Sequence, residues 1–130
     1  MKKRSFDAAI RDYTEALRLH PQFVMAFTNR GNALSALRRL DAALADYDAA
    51  YAIEPNNTYV LFNRGYLHGK RQEYEKAIAD FSRYIALDPS DSDAFLLRAS
   101  AYLALGLTAK AEEDKRKAIE LGPSRKDGRP

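Results

Sequence analysis

The sequence contains no cysteine, so the chain can form no disulfide, no thiolate metal site and no thiol nucleophile. It also lacks a long hydrophobic run: no stretch approaches the roughly 18 apolar residues of a membrane span. The basic start, residues 1–4, is not followed by an apolar segment, so it does not have the form of a signal peptide. These absences predict a chain that does not insert into a membrane, and we expect a cytoplasmic location.

An excess of charge of one sign is also missing. The 21 basic and 18 acidic residues leave a net charge of +3, which is too small to favour nucleic acid as a partner. The two histidines, His20 and His68, are isolated and do not make a metal site. No Ser-His-Asp arrangement or phosphate-cradling glycine loop is present. We therefore predict no enzyme activity, no catalytic residue, no metal and no cofactor.

Proline is scarce, but its placement is regular. Four of the five prolines, Pro21, Pro55, Pro89 and Pro123, follow one another at intervals of 34 residues. Each comes after an apolar, helix-like stretch, and proline cannot continue a helix because it lacks the N–H group and its ring clashes with the preceding turn. A fixed period of this length is typical of stacked repeat proteins.

Other residues recur with the same period. The recurring positions are Ala9, Ala43, Ala77 and Ala111; Asp12, Asp46, Asp80 and Asp114; and Arg30, Arg64 and Arg98. Recurring small residues indicate that two helices approach closely, and the aspartates are the natural partners of the arginines. Apolar residues follow a period near 3.6, which predicts an all-α fold of seven helices: one near residues 6–19, then three antiparallel hairpins. Ser5, Asp41 and Thr108 are the candidate N-caps.

The pattern resembles the tetratricopeptide repeat family. One copy of the family motif reads Phe27, Gly31, Leu34, Ala43, Tyr47 and Pro55, and two further copies follow. The resemblance implies a right-handed superhelical α-solenoid whose first helices line a concave groove, and a module that binds a peptide or protein segment there as a scaffold or adaptor. We expect one domain over 1–123, with a half repeat at 1–23, full repeats at 24–57, 58–91 and 92–123, and a polar tail at 124–130.

The resemblance also implies which residues line the groove. The predicted partner-binding residues are Asn29, Asn32, Tyr59, Phe62, Asn63, Tyr66 and Lys70. Asn29 and Asn63 occupy equivalent positions, and an amide carries both a donor and an acceptor, so it can pair with an extended peptide backbone. Leu97 takes the third equivalent position. The aromatic members can anchor a partner, or part of that set can belong to the core.

Some family members hold the C-terminal carboxylate of chaperone tails with lysine, asparagine and arginine side chains. Asn32 and Asn63 match two of those positions, but Thr28, Asp93 and Leu97 stand where basic residues are needed. An aspartate repels a carboxylate, so the sequence argues against chaperone C-terminal tails. The identity of the protein or peptide partner is not encoded in any motif that we can read.

The two ends of the repeat array differ from its middle. Thr108, Glu112 and Lys115 replace apolar residues on one helix face, which predicts that this helix is a solvent-facing cap with no fifth repeat after it. The first helix lacks a hairpin partner. One alternative is therefore a structural module that forms a homo-oligomer through its N-terminal end. RNA binding by helical repeats is a further alternative, which the weak charge disfavours.

Overall fold

The computed structural model describes residues 3–124, and over this range the chain forms seven α-helices and no strand. The helices are α1 (Lys3–Leu19), α2 (Val24–Ala36), α3 (Leu40–Ile53), α4 (Thr58–Lys70), α5 (Tyr74–Leu87), α6 (Ser92–Ala104) and α7 (Thr108–Leu121). The predicted all-α class and the number of helices are confirmed. Within the described range, each helix is too short or too polar to cross a membrane.

Equivalent three-residue connections join α2 to α3, α4 to α5 and α6 to α7. The middle residue of each is left-handed: Arg38 has φ 62°, Gln72 has φ 63° and Gly106 has φ 77°. The next residue then donates its N–H back into the helix, as in Arg39 N to Leu34 O at 2.9 Å. This Schellman arrangement satisfies carbonyls at the end of the first helix and reverses the chain direction within three residues.

The N-cap predictions were wrong, because each helix begins at or before the residue that was expected to cap it. The residue that closes the Schellman turn is also the N-cap of the next helix, so the caps are Arg39 and Leu107, and neither makes a side-chain capping bond. Asp41 lies in the first turn of α3 and Thr108 is the first residue of α7. Ser5 lies inside α1, which begins at Lys3.

The chain divides after Val60 into two compact units. In the first unit, α2 packs against both α1 and α3. The core contains Val24, Ala50 and Val60, and Phe27, Tyr51 and Ile53 pack against them. Ala43, one of the recurring alanines, is completely buried, which confirms the close helix approach that its small side chain predicted.

In the second unit, Phe81 is among the largest buried side chains and is 2% exposed. The Phe62 ring meets Phe81 edge-on at 5.8 Å between centroids, and it meets Tyr84 at 5.3 Å. Tyr84 stands where the other repeats have alanine. Its hydroxyl donates to Asp91 Oδ2 at 2.6 Å, while Asp91 Oδ1 caps α6 by accepting from Asp93 N at 3.0 Å. This exchange of alanine for tyrosine therefore ties α5 to the start of α6.

Candidate partner-binding site

The recurring arginines are structural, because each makes a bidentate ion pair within its own hairpin. Arg30 Nε and Nη2 donate to Asp46 at 2.8 and 2.7 Å, Arg64 donates to Asp80 at 2.9 and 2.9 Å, and Arg98 donates to Asp114 at 2.8 and 2.7 Å. The bound carboxylate raises the pKa of Arg30 and of Arg98 above the ordinary arginine value. The expected pairing of arginine with aspartate is confirmed, and these cations are engaged inside the protein.

Two of these arginines also reach a hydroxyl on the preceding second helix. Arg30 Nη1 donates to Thr14 Oγ1 at 3.1 Å, and Arg98 Nη1 donates to Ser82 Oγ at 3.0 Å. Each hydroxyl lies sixteen residues before its arginine, and each aspartate lies sixteen residues after it. Each of these guanidinium groups thus joins three successive helices. It holds the helix that carries it, α2 or α6, between the helix before it and the helix after it.

Close packing of a glycine on an aromatic ring sets the spacing of two hairpins. A Cβ added at Gly31 would lie 2.7 Å from Tyr47 Cε1, and one added at Gly65 would lie 3.2 Å from Phe81 Cζ. The third repeat has Ala99 at this position, and Lys115 in place of the aromatic residue. The methyl group of Ala99 therefore occurs in the repeat whose facing position, Lys115, carries no aromatic ring.

The predicted binding residues of the first unit are partly exposed. Asn29 and Asn32 lie on α2 and Tyr59 lies in the first turn of α4, all half-buried. The Tyr47 hydroxyl donates to Asn32 Oδ1 at 2.5 Å, so the amide NH₂ of Asn32 is the end that remains for a partner. Burial raises the pKa of Tyr47, with a further contribution from Tyr59, which keeps this hydroxyl protonated as a donor.

Asn63 is the most unusual of the predicted residues. It is 6% exposed, and its buried amide nitrogen Nδ2 has no hydrogen-bond partner in the described part of the chain. A buried donor without an acceptor is costly and rare in native proteins. The neighbouring Phe62 is 6% exposed and packs on Phe81 and Tyr84. Phe62 is therefore a core residue, and its contact with a partner stays a prediction.

Tyr66 and Lys70 lie one turn apart on α4 and are exposed. Tyr66 is 45% exposed, and the Lys70 ammonium nitrogen lies 4.9 Å from the centroid of its ring. Both residues line a cavity of about 310 Å³ in the second unit. The other lining residues are Gly65, Gly69, Tyr74, Ala77, Phe81, Leu97, Ser100, Ala101 and Ala104. The structure thus brings two of the predicted residues together at one concave feature.

Gly69 and Tyr74 belong to this cavity but were not among the predicted binding residues. Gly69 recurs at no equivalent position, and Tyr74 is the apolar residue that Thr108 replaces 34 residues later. The available signal was the pair Gly65 and Gly69, two side-chain-free residues one turn apart on the same face of α4. Such a pair leaves space along the helix, although the sequence alone cannot show whether a neighbouring side chain fills it.

His68 is packed, as expected, at 6% exposure. Its Nδ1 lies 3.0 Å from Glu73 Oε1, and Arg71 Nε donates to the same oxygen at 2.9 Å. The hydrogen bonds from His68 and then Arg71 lower the pKa of Glu73 to about 2. Among the described residues, no cluster of three or more histidine, aspartate or glutamate side chains has the arrangement needed to hold a metal ion.

Two of the departures that the sequence pointed out have clear structural consequences. Thr28 stands where carboxylate-binding members of the family need a basic residue. It is fully buried, and its hydroxyl donates to Val24 O at 3.0 Å. On α7, Thr108 and Glu112 are exposed, and the Lys115 ammonium lies 3.5 Å from Glu112 Oε1. Thr28 is therefore occupied within its own helix, while the polar face of α7 lies open in the described chain.

Comparison with known proteins agrees with this architecture. Sequence profiles of the tetratricopeptide repeat match residues 33–101, 1–58 and 92–125. No curated protein matches the chain in sequence. Among solved structures, residues 41 to the end of MamA from Desulfovibrio magneticus RS-1 are 25% identical with a TM-score of 0.86, covering 90% of this chain and 66% of that one. The chain thus spans about two thirds of the length of that MamA chain.

Two further structures share the fold at lower identity. Another crystal structure of MamA is 22% identical with a TM-score of 0.72, over 92% of this chain and 90% of that one. The first TPR of Spaghetti (RPAP3), bound to the HSP90 peptide SRMEEVD, is 24% identical with a TM-score of 0.72, over 77% and 79% of the two chains. The sequence profiles, of which one alone covers more than half of the chain, together with the repeated hairpins, show that the chain belongs to the tetratricopeptide repeat family.

Proposed function

We propose that this protein binds an extended peptide segment of a partner protein through the side chains of its first helices. The observation that carries the proposal is the Nδ2 group of Asn63, a buried donor with no acceptor in the described chain. Because Nδ2 is buried, the Asn63 side chain would rotate outward on binding, and a backbone carbonyl of the peptide would then supply that acceptor. Binding would then offset a cost that the free protein already bears.

The other two predicted amides offer the same chemistry. Asn29 lies on α2 at the position equivalent to Asn63, and the carbonyl end of Asn32 is held by Tyr47. Amide side chains can accept from a peptide N–H and donate to a peptide carbonyl, so they hold a backbone of any sequence. Sequence preference would come from the exposed pair Tyr66 and Lys70.

The comparisons support a protein-interaction module in general terms. Members of the tetratricopeptide repeat family are typically non-catalytic interaction scaffolds, and a structural neighbour, the RPAP3 repeat domain, is seen with a peptide. We do not propose a C-terminal tail as the ligand, because Thr28 is buried where a basic residue would be needed and Asp93 would repel the terminal carboxylate. We therefore propose an internal segment of a partner, with the chemistry considered below.

The test is a double substitution, Asn29→Ala with Asn63→Ala. Peptides are selected from a random library on the full chain, and their affinities are measured by fluorescence anisotropy. Loss of two amide contacts should weaken binding by about tenfold to a hundredfold. The melting temperature should stay the same or rise, because Asn63→Ala removes an unsatisfied buried donor.

The matched control is Asn56→Ala, which removes the same amide from the exposed break between α3 and α4. The control should bind the selected peptides as the unmodified chain does. Equal affinity of the double variant and the control would contradict the proposed role of the amides. Failure of the full chain to select any peptide would contradict the proposed function itself.

A further inference from the structure

We propose that the cavity lined by Tyr66, Gly69 and Lys70 accepts one large aliphatic side chain from the bound peptide, beside a carboxylate of the same peptide. The proposal rests on the proposed function and names the chemistry of the partner. Nothing in the family match assigns this cavity. It lies wholly in the second unit, among α4, α5 and α6.

The cavity exists because several side chains around it are small. Gly69, Ser100, Ala101 and Ala104 contribute little volume, and a Cβ added at Gly69 would meet no atom within 4 Å. Its volume is about 310 Å³. This volume lies at the lower end of the range for ligand pockets, about 300 to 1,000 Å³, and it is large enough to hold one large aliphatic side chain.

The lining selects an apolar guest. Ala77 and Phe81 lie on its inner side with almost no exposed surface, while Leu97 and Ala104 present apolar atoms that a guest can contact. Burying an aliphatic side chain against such residues is favourable in proportion to the apolar area removed from water. The Tyr66 ring is 45% exposed at the same site and can cover the guest.

The charge of the lining indicates what should stand next to the guest. Among the described residues that line the cavity, Lys70 alone is charged, and its ammonium lies 4.9 Å from the centroid of the Tyr66 ring. A glutamate or aspartate beside the aliphatic residue would complement this cation, while a lysine there would be repelled. The inferred partner is therefore an acidic segment with a leucine-like anchor, rather than a basic one.

The experiment uses blocked hexapeptides and the isotope-labelled full chain, with backbone amide shifts followed by NMR. The probe contains a leucine followed by glutamate between glycines. One comparison peptide has lysine for glutamate, and another has alanine for leucine. The leucine–glutamate probe should shift the amides of Tyr66, Gly69 and Leu97. The alanine peptide should bind about tenfold more weakly or worse, and the lysine peptide about two- to fivefold more weakly.

The decisive variant is Gly69→Leu, which supplies a leucine side chain from α4 itself. It should bring the probe down to the affinity of the alanine peptide while leaving the fold stable, since leucine is a better helix former than glycine. Gly69→Ala is the second variant and should bind the probe with an intermediate loss. The control is Ala86→Leu, which adds a leucine to the exposed side of α5, outside the cavity.

Each outcome decides the matter. Equal binding of the probe by Gly69→Leu and by the unmodified chain would overturn the inference, as would equal shifts from the leucine and alanine peptides. A dimer that forms with the unmodified chain but not with Gly69→Leu would assign the cavity to a second copy and overturn it too. Loss of probe binding in Gly69→Leu, with full binding in the Asn29→Ala, Asn63→Ala variant, would support the cavity and contradict the proposed amide contacts.

Discussion

Arg30 offers the clearest view of what a single side chain contributes here. Its guanidinium makes two hydrogen bonds to Asp46 and one to Thr14, so it contacts three helices of the first unit. Asp46 is 5% exposed. A carboxylate that is buried to this degree depends on its partner, because an unpaired charge in the interior is strongly unfavourable.

Arg30→Ala should therefore lower the free energy of unfolding. We expect a loss of about 2 kcal/mol, less than for a fully buried pair because the arginine itself is partly exposed. Urea denaturation followed by circular dichroism measures this. The control is Arg18→Ala, which breaks a pair with Glu15 whose side chains are 67% and 58% exposed, and it should change stability little. An equally small effect of Arg30→Ala would show that Asp46 is solvated in solution.

Glu73 gives a prediction for pH. Hydrogen bonds from His68 and Arg71 hold its pKa at about 2 in the folded chain, well below the ordinary glutamate value. Since the unfolded chain binds the proton more readily, this carboxylate contributes stability above roughly pH 4, and the contribution is lost as pH falls toward 2. The difference in unfolding free energy between the unmodified chain and Glu73→Gln should be constant from pH 7 to 5 and shrink below pH 4. A difference that stays constant down to pH 2.5 would contradict this.

Predictions about single residues succeeded where two residue types of complementary chemistry recur together along the sequence. Arginine and aspartate recur with a constant separation and opposite charge, so their pairing could be expected. The sequence could not show which of Phe62 and Tyr66 is a core residue and which is exposed, because both are aromatic residues of one helix. The contacts decide between them: Phe62 packs on Phe81 and Tyr84, while Tyr66 remains 45% exposed.

Among the elements, the hairpins depend on a small residue that faces an aromatic ring. In the first full hairpin the contact is between Gly31 and Tyr47, and Tyr47 is 3% exposed with its hydroxyl bonded to Asn32. The ring cannot move away without losing that hydrogen bond or disturbing its burial. The two helices are therefore held at a separation that excludes even one extra methyl group.

Two glycine substitutions should consequently have opposite effects. Gly31→Ala should destabilise the protein by about 1–3 kcal/mol through overpacking on Tyr47. Gly69→Ala should stabilise it by about 0.5–1 kcal/mol, because its Cβ meets no atom within 4 Å and alanine favours the helix. Thermal melts of both variants check this, each serving as the control for the other. A destabilised Gly69→Ala would contradict the open space at that position.

The short connections explain why residues in the first turns of α3 and α7 were mispredicted as caps. A proline every 34 residues locates the longer breaks, but the short turns carry no such mark. Their left-handed residues are Arg38, Gln72 and Gly106, and glycine, the residue expected at this conformation, occurs in one of the three. Arg38 and Gln72 adopt this conformation without being glycine, so residue type alone did not mark these two turns.

For the whole chain, burial is uneven from helix to helix. In α1 the buried residue is Leu17, whereas α6 buries Ser92, Ala94, Phe95, Ala99 and Ala101. A helix with few buried contacts opens at a lower free-energy cost, and its amides exchange with solvent sooner.

Hydrogen exchange followed by mass spectrometry should show the lowest protection in α1, at a rate that does not depend on protein concentration. Peptides from α6 of the same sample are the internal control. The alternative of self-association through the first helix predicts that the exchange of α1 amides slows as protein concentration rises, because a second copy would cover α1. Light scattering over the same range then distinguishes a strict monomer from a reversible oligomer.

At this scale the all-α class and the number of helices could be predicted from periodicity, whereas the candidate site could be predicted in part. The amide positions Asn29 and Asn63 follow from the family pattern. The cavity beside Tyr66 could not be foreseen, because it arises from side chains that are absent, and an absence in one helix matters only when neighbouring helices do not fill it.

The bonds of Arg30 and Arg98 bear on how such repeats can be recombined. Cutting at the prolines keeps each arginine with its aspartate, but leaves its hydroxyl partner behind: Thr14 lies before Pro21, and Ser82 lies before Pro89. In a repeat transplanted alone, the arginine Nη1 would lose its hydroxyl acceptor and would require a new one from the recipient protein. A recipient protein should therefore have serine or threonine sixteen residues before the arginine of the transplanted repeat. The presence of this hydroxyl is a criterion for choosing which repeats to join.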